Sequence, residues 1–218
     1  MRKIGCASED EMILAWVRGD YCSKQCWGEI MRRVLGNEVR YIDHRARTDD
    51  DAQNLDRKHA LTCARGYGIG KGLFSRFPSH LHWIRLALSN DELGGLLYLD
   101  HKDWRVLSEE SLLVRDGAQN VDRVEVQHGV NDKIRGIAQA LQNGQTCPKI
   151  PGIEREFQNG RTYSEPIIVA EDRDAPHTIL EGHGRATAYH RVLSRDSEFE
   201  VIAGYSPDLT PWLEQSWK

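Results

Sequence analysis

Five consecutive residues, Glu181-Gly182-His183-Gly184-Arg185, set a carboxylate, an imidazole and a guanidinium around two glycines. They stand where an apolar stretch, Thr178-Ile179-Leu180, gives way to a good helix former, Ala186-Thr187-Ala188-Tyr189-His190-Arg191-Val192-Leu193. Two glycines flanking one residue let the backbone turn tightly and let a ligand come close to it. The free amides and the dipole at the start of the following helix favour an anion. Arg185 in the first turn adds a cation with two-pronged geometry for phosphate or carboxylate. A plainer reading stands beside this one: Gly182 and Gly184 only shape a turn, Arg185 pairs with Glu181, and His183 caps the helix.

Other segments offer weaker chemistry. Gly66-Tyr67-Gly68-Ile69-Gly70-Lys71-Gly72 is rich in glycine but spaces its residues wrongly for a Walker loop and has Gly72 where Ser or Thr belongs, so it reads as a connector. Cys22-x3-Cys26 supplies half a zinc site. His44 and His59 do not complete it at finger-like spacing, and the five cysteines read as free thiols of a reducing compartment. Asp49-Asp50-Asp51 reads as a solvated helix start rather than a site for a hard cation.

The elements that must position the loop follow from periodicity. Ser8 with Glu11 has capping-box form and opens a helix through Met12, Ala15 and Trp16. Further helices are expected over 27–35, 78–88, 91–99 and 132–142. Strands are expected over 121–126, 167–170, 178–180 and 199–203, with a turn at 171–176. Arg173 and His177 flank that turn, and the aromatic tail from Tyr205 to Trp212 reads as packing over an apolar patch. The fold class is therefore α+β, with a helical unit over residues 1–105 followed by a small mixed-sheet domain over residues 106–218.

Composition narrows the partners. The 218 residues carry 29 Lys and Arg against 33 Asp and Glu, a formal charge of −4, and no run of basic residues. Nucleic-acid polymers are bound mainly by clustered Lys and Arg, so a large DNA-binding surface is disfavoured, whereas a small anion needs only one pocket. No apolar run approaches the roughly 20 residues that cross a bilayer, and the start of the chain lacks an apolar secretory segment. A cytoplasmic protein without a membrane partner is expected.

The run formed by the helix at 132–142, Asn143-Gly144, the strand Glu165-Pro166-Ile167-Ile168-Val169, a hairpin and Ile179-Leu180-Glu181-Gly182-His183-Gly184-Arg185-Ala186 resembles the ParB/sulfiredoxin superfamily. The resemblance spans about residues 121–203. It implies a small mixed sheet with helices, and a nucleoside triphosphate (ATP or CTP) held at Gly182, His183, Gly184, Arg185, Ala186 and Thr187. Within that superfamily, ParB proteins couple the loop to attached DNA-binding helices, whereas here the extra helices lie before the ParB-like part. Sulfiredoxins carry a catalytic cysteine where His183 stands here. Free serine kinases carry Asp-Gly-His-His-Arg, the nearest pattern, with a His-Glu base ahead of the first helix; here that place reads His128-Gly129.

The resemblance thus implies a kinase-like phosphotransferase acting on a small hydroxyl-bearing substrate. Phosphoryl transfer asks for positioning, charge neutralisation, Mg²⁺ and one carboxylate to take the acceptor proton. Glu181, His183, Glu125 and Asp132 are the candidate catalytic groups, with Glu181 also the candidate metal ligand. The rival reading is a CTP-switch or non-catalytic module that binds DNA or protein, and a ParB-like nuclease is a third.

Overall fold

The computed structural model describes residues 1–21, 26–36, 38–43, 46–126, 129–143 and 165–215. Cys22, His44, His128, Gly144, Cys147 and the stretch 148–160 lie outside the described residues. Strand β1 (Arg2–Cys6) leads into α1 (Glu9–Tyr21). The capping box closes as expected: the Glu11 amide donates to the Ser8 hydroxyl at 3.1 Å, and the Ser8 amide donates to the Glu11 carboxylate at 2.8 Å. Helices α2 (Cys26–Val34) and α3 (Asp51–Arg65) complete a helical layer. Asp50 caps α3 by accepting from the Gln53 amide at 3.0 Å, and Asp49 is bound by Arg47 at 2.7 and 2.8 Å, so the acidic run is spent on a helix start. Gly66, at φ 81°, ends α3, and the glycine-rich segment turns into a short 3-10 stretch at Gly72–Phe74 rather than an α-helix.

Then come β2 (His82–Ser89), α4 (Asn90–Gly94), α5 (Lys102–Leu107), α6 (Val114–Asn120), α7 (Val130–Gln142), β3 (Ile167–Ala170), β4 (Thr178–Glu181), α8 (His183–Val192), β5 (Glu198–Tyr205) and α9 (Thr210–Leu213). One sheet in the order β1-β2-β5-β3-β4 joins them; β5 and β3 are parallel and the other neighbours antiparallel. The chain is a mixed α+β protein. Residues 1–105 are not helical alone, since they supply β1 and β2, and β2 pairs with β5 from His82↔Tyr205 to Ser89↔Glu198.

Two expected elements change type. The helix read over 78–88 is β2, an inner strand buried on both faces, where a near-continuous apolar run replaces the alternation of a half-exposed strand. The strand read over 121–126 is a turn leading to α7. There the Asn131 side chain donates to the Val121 and Val124 carbonyls at 2.6 and 2.7 Å and accepts from the Val126 amide at 3.0 Å, serving groups that a sheet ladder would otherwise satisfy. The helix expected over 91–99 shortens to α4, capped by Ser89 and Glu92.

Alternation along the strands splits the core in two. Ile167, Val169, Leu180, Ile202 and Trp83 pack with α1, α2 and α3, while Ile168, Ile179, Val201, Ala203 and Ile84 pack with α8 and its neighbours on the opposite face. The C-terminal tail closes the first core. Trp212 is fully buried, meets Phe77 edge-on at 5.3 Å and donates its indole N–H to the Leu73 carbonyl at 2.7 Å. Trp212→Ala should lower unfolding stability by about 3–5 kcal/mol, read as a shift of the urea midpoint with an unchanged slope.

Candidate functional site

The Glu181–Arg185 segment lies at the joint between β4 and α8, where the chain leaves the sheet. Gly182 holds φ 96°, in the left-handed region, and a Cβ there would stand 2.9 Å from Pro166 Cα. Only glycine fits this turn without strain. Arg185 reaches back one helical turn to an ion pair with Glu181, and their side chains are 7% and 14% exposed. The pair lies under α1: a Cβ on Gly19 would stand 2.9 Å from both terminal guanidinium nitrogens of Arg185. The missing side chain at Gly19 is what lets α1 seat on the pair.

No side chain caps α8 at Gly182, and the first intrahelical bond runs from the Ala186 amide to Gly182 O at 2.8 Å. The amides of His183, Gly184 and Arg185 therefore lack an intrahelical acceptor. The two remaining residues of the expected phosphate loop turn inward. Ala186 is buried in the core, its amide already spent on Gly182. Thr187 is fully buried, its hydroxyl donating to His183 O at 2.7 Å and lying 2.6 Å from the Tyr98 hydroxyl.

His183 neither caps the helix nor stands free. Its ring stacks on Trp104 at 5.0 Å and 11°, with Tyr98 alongside at 6.1 Å. Its Nε2 accepts from the Leu99 amide at 3.4 Å, which assigns the ring proton to Nδ1. Burial, reinforced by Lys133, Arg65 and His101, pushes its pKa down to about 3. It is neutral at pH 7, with its basic nitrogen already occupied.

The remaining candidates stand apart. Asp132 is 84% exposed and binds Arg135 at 3.1 Å, and Glu125 is exposed in the turn before α7. Glu181 faces Arg185, and among the described residues no group of three or more His, Cys, Asp or Glu side chains gathers that could hold a metal ion.

The fold brings other charges to the joint. Lys133 of α7 runs across the first turn of α8, its Cδ and Cε 3.9 Å from where a Gly184 Cβ would lie. It is open to solvent and makes no ion pair with a described residue. The protein crowding around it, with Arg185 and Arg65, lowers its pKa, while Asp20 opposes the shift. Arg65, at the end of α3, binds Asp20 through Nε and Nη2 at 2.8 and 3.0 Å and lies 4.2 Å from the Trp27 ring centre. Trp16 Nε1 holds the same Asp20 carboxylate at 2.9 Å. Three cations and two carboxylates thus surround the start of α8.

No protein-family model matches this chain, and no curated protein or solved structure does. The geometry therefore carries the functional reading by itself.

Of the expected residues, the structure joins Glu181, Gly182, His183, Gly184 and Arg185 and leaves Glu125 and Asp132 outside. Sequence reasoning missed Lys133, Arg65, Asp20 and Gly19. Only Lys133 carried a usable signal, as one of two cations, with Arg135, in the first turn of the helix expected before β3. A cavity of about 270 Å³ between Cys6, Tyr67, His80 and Trp83 contains none of these groups. Its Glu9 carboxylate is taken by Lys58 at 2.9 Å and the Tyr67 hydroxyl at 2.7 Å.

The neutral, stacked ring at 183 has a consequence for pH. Between pH 6.5, its ordinary value, and about 3, the unfolded chain binds a proton at His183 that the folded chain does not. Stability must fall as pH drops through this interval, by at most about 1.4 kcal/mol per pH unit from this residue. His183→Phe, which keeps the stack, should make the decline of the urea midpoint from pH 6.5 to 4 shallower; an identical slope would show that His183 is charged in the native protein.

Proposed function

We propose that this chain binds the phosphate chain of a nucleoside triphosphate, ATP or CTP, at the start of α8 and passes a phosphoryl group to a small hydroxyl-bearing substrate. The observation that carries this reading is the uncapped α8 start with Lys133, open to solvent and without a carboxylate partner among the described residues, laid across it. Amides at a helix start plus one unpaired cation suit a phosphate. The elements α7, β3, β4 and α8 also stand in the order on which the resemblance to the ParB/sulfiredoxin superfamily rests.

In this reading the amides of His183, Gly184 and Arg185 and the Lys133 amine hold the phosphates, and His183 acts as a packed wall. Glu181, the last residue of β4, is the carboxylate that faces Arg185. A phosphate oxygen drawn to Arg185 competes with Glu181 for the guanidinium. One oxygen of the released carboxylate takes the proton of the acceptor hydroxyl as the terminal phosphoryl group moves to the acceptor oxygen and the nucleoside diphosphate leaves; the other oxygen would hold Mg²⁺, which commonly needs only one or two carboxylates beside substrate phosphates.

A second reading, a nucleotide switch without chemistry that governs DNA or protein binding, is favoured by the seat of α1 on Arg185 at Gly19, since a ligand that moves Arg185 is felt by the N-terminal helices. Transfer of the terminal phosphate to any acceptor supports the first reading. A salt-sensitive, nucleotide-dependent gel shift supports the second. The nuclease reading has no carboxylate cluster to rest on among the described residues. No helix among them is long and apolar enough to cross a membrane.

Calorimetry with ATP, CTP and ADP, with and without Mg²⁺, tests the site. Binding tighter than about 1 mM is expected, weakened about tenfold or more by Lys133→Met. Because the folded pKa of Lys133 is depressed, its charge is lost as pH rises before that of an ordinary lysine at 10.5. Affinity should therefore fall on the alkaline side, and Lys133→Arg should postpone that fall. A folded protein that binds none of the three nucleotides at millimolar concentration would refute the proposal.

A further inference from the structure

The N-terminal helices lie outside the region that resembles a known superfamily, yet they bring charge to the start of α8. Arg65 stands at the C-terminal end of α3, in a setting that fixes one edge of its guanidinium and leaves the other. Nε and Nη2 are spent on Asp20, which is itself 7% exposed and anchored by Trp16 Nε1. Trp27 covers the guanidinium from α2. Among the described residues no acceptor takes the two N–H groups of Nη1 or the second N–H of Nη2, and the side chain keeps 18% of its surface open. Asp20 directly follows Gly19, whose Cβ position lies 2.9 Å from the Arg185 guanidinium, so the Arg65 that Asp20 holds stands beside the joint at the start of α8.

We infer that the N-terminal helices complete the anion site: Arg65 reads the length of a phosphate chain whose first phosphate sits at the α8 start, and Asp20 is the positioning residue that aims it. This rests on the phosphate-site reading above and goes beyond it by giving α1 and α3 a part in ligand choice. The charge count agrees. Arg65 with Asp20 and Arg185 with Glu181 cancel pairwise, leaving Lys133 and the helix dipole as net positive charge. A single phosphate is served by Lys133 and the amides. A longer chain has oxygens left over, and the unspent edge of Arg65 supplies donors for them in two-pronged geometry. Trp27 and Asp20 keep that edge in place at little entropic loss on binding.

Titration of the whole chain with inorganic phosphate, pyrophosphate and tripolyphosphate tests the inference, with a melting curve for each variant. Arg65→Gln should weaken tripolyphosphate about tenfold to a hundredfold while changing phosphate less than about twofold. Asp20→Asn removes a negative charge and loosens Arg65. It should weaken tripolyphosphate while leaving the affinity for phosphate unchanged or higher, a split that a purely structural pair, lowering only the melting temperature, would not produce. If wild type binds tripolyphosphate and Arg65→Gln binds it equally well, the role of Arg65 is refuted and the phosphate site stands. Equal losses for phosphate and tripolyphosphate that track the melting temperature also refute it. If wild type binds none of the three anions, the phosphate-site reading fails and the Arg65 assignment with it.

Discussion

The turn at Gly182 is the constraint on which the candidate site depends. At φ 96°, pressed so close to Pro166 that a Cβ would stand 2.9 Å from its Cα, the chain leaves β4 and enters α8 within one residue. That abrupt turn leaves the first amides of α8 uncapped, since Gly182 has no side chain to offer them. It also sets Arg185 four residues beyond Glu181, so the two pair across the joint between β4 and α8. A residue with a Cβ at 182 would have to separate β4 from β3, and the loop would lose its shape before any ligand arrived.

Electrostatics at this joint are arranged around nearly dry groups. Glu181–Arg185 and Asp20–Arg65 are largely buried pairs, and breaking either by removing one partner costs far more than a surface pair, because the remaining charge stays desolvated. His183 avoids the problem by remaining neutral, flat against Trp104, with its Nε2 accepting from Leu99. Lys133 is different in kind: it keeps its solvent and lies over Gly184. The joint thus combines rigid paired charges with one cation available to an incoming anion.

Much of the outline was legible in the chain. The Ser8 and Glu11 cap, the helix from residue 132, the strand at Ile167–Ala170 and the turn into the α8 helix follow from local chemistry and periodicity, and the structure contains all four. Failures came where burial on two sides or a side chain overrode the pattern. Residues 82–89 read as a helical stripe because an inner strand, apolar on both faces, shows no alternation that would mark it. Residues 121–126 alternate like a strand, yet Asn131 satisfies their backbone groups and holds them as a turn. β1 gave no signal because its side chains are largely exposed and no apolar face is selected.

By itself, the amino-acid sequence determined the loop: the order Glu181-Gly182-His183-Gly184-Arg185, the glycine that permits the turn, and the arginine one helical turn from the carboxylate. These are relations within five residues, which local backbone geometry settles. Tertiary structure alone decided what surrounds it. Gly19, Asp20, Arg65 and Lys133 lie between 50 and 170 positions from Arg185 along the chain, and they meet it only because the sheet order β1-β2-β5-β3-β4 folds α1 and α3 onto one face and α8 onto the other, joined at the end of β4. Charge acts through space, so the protonation of His183 and Lys133 follows from neighbours that no local pattern contains.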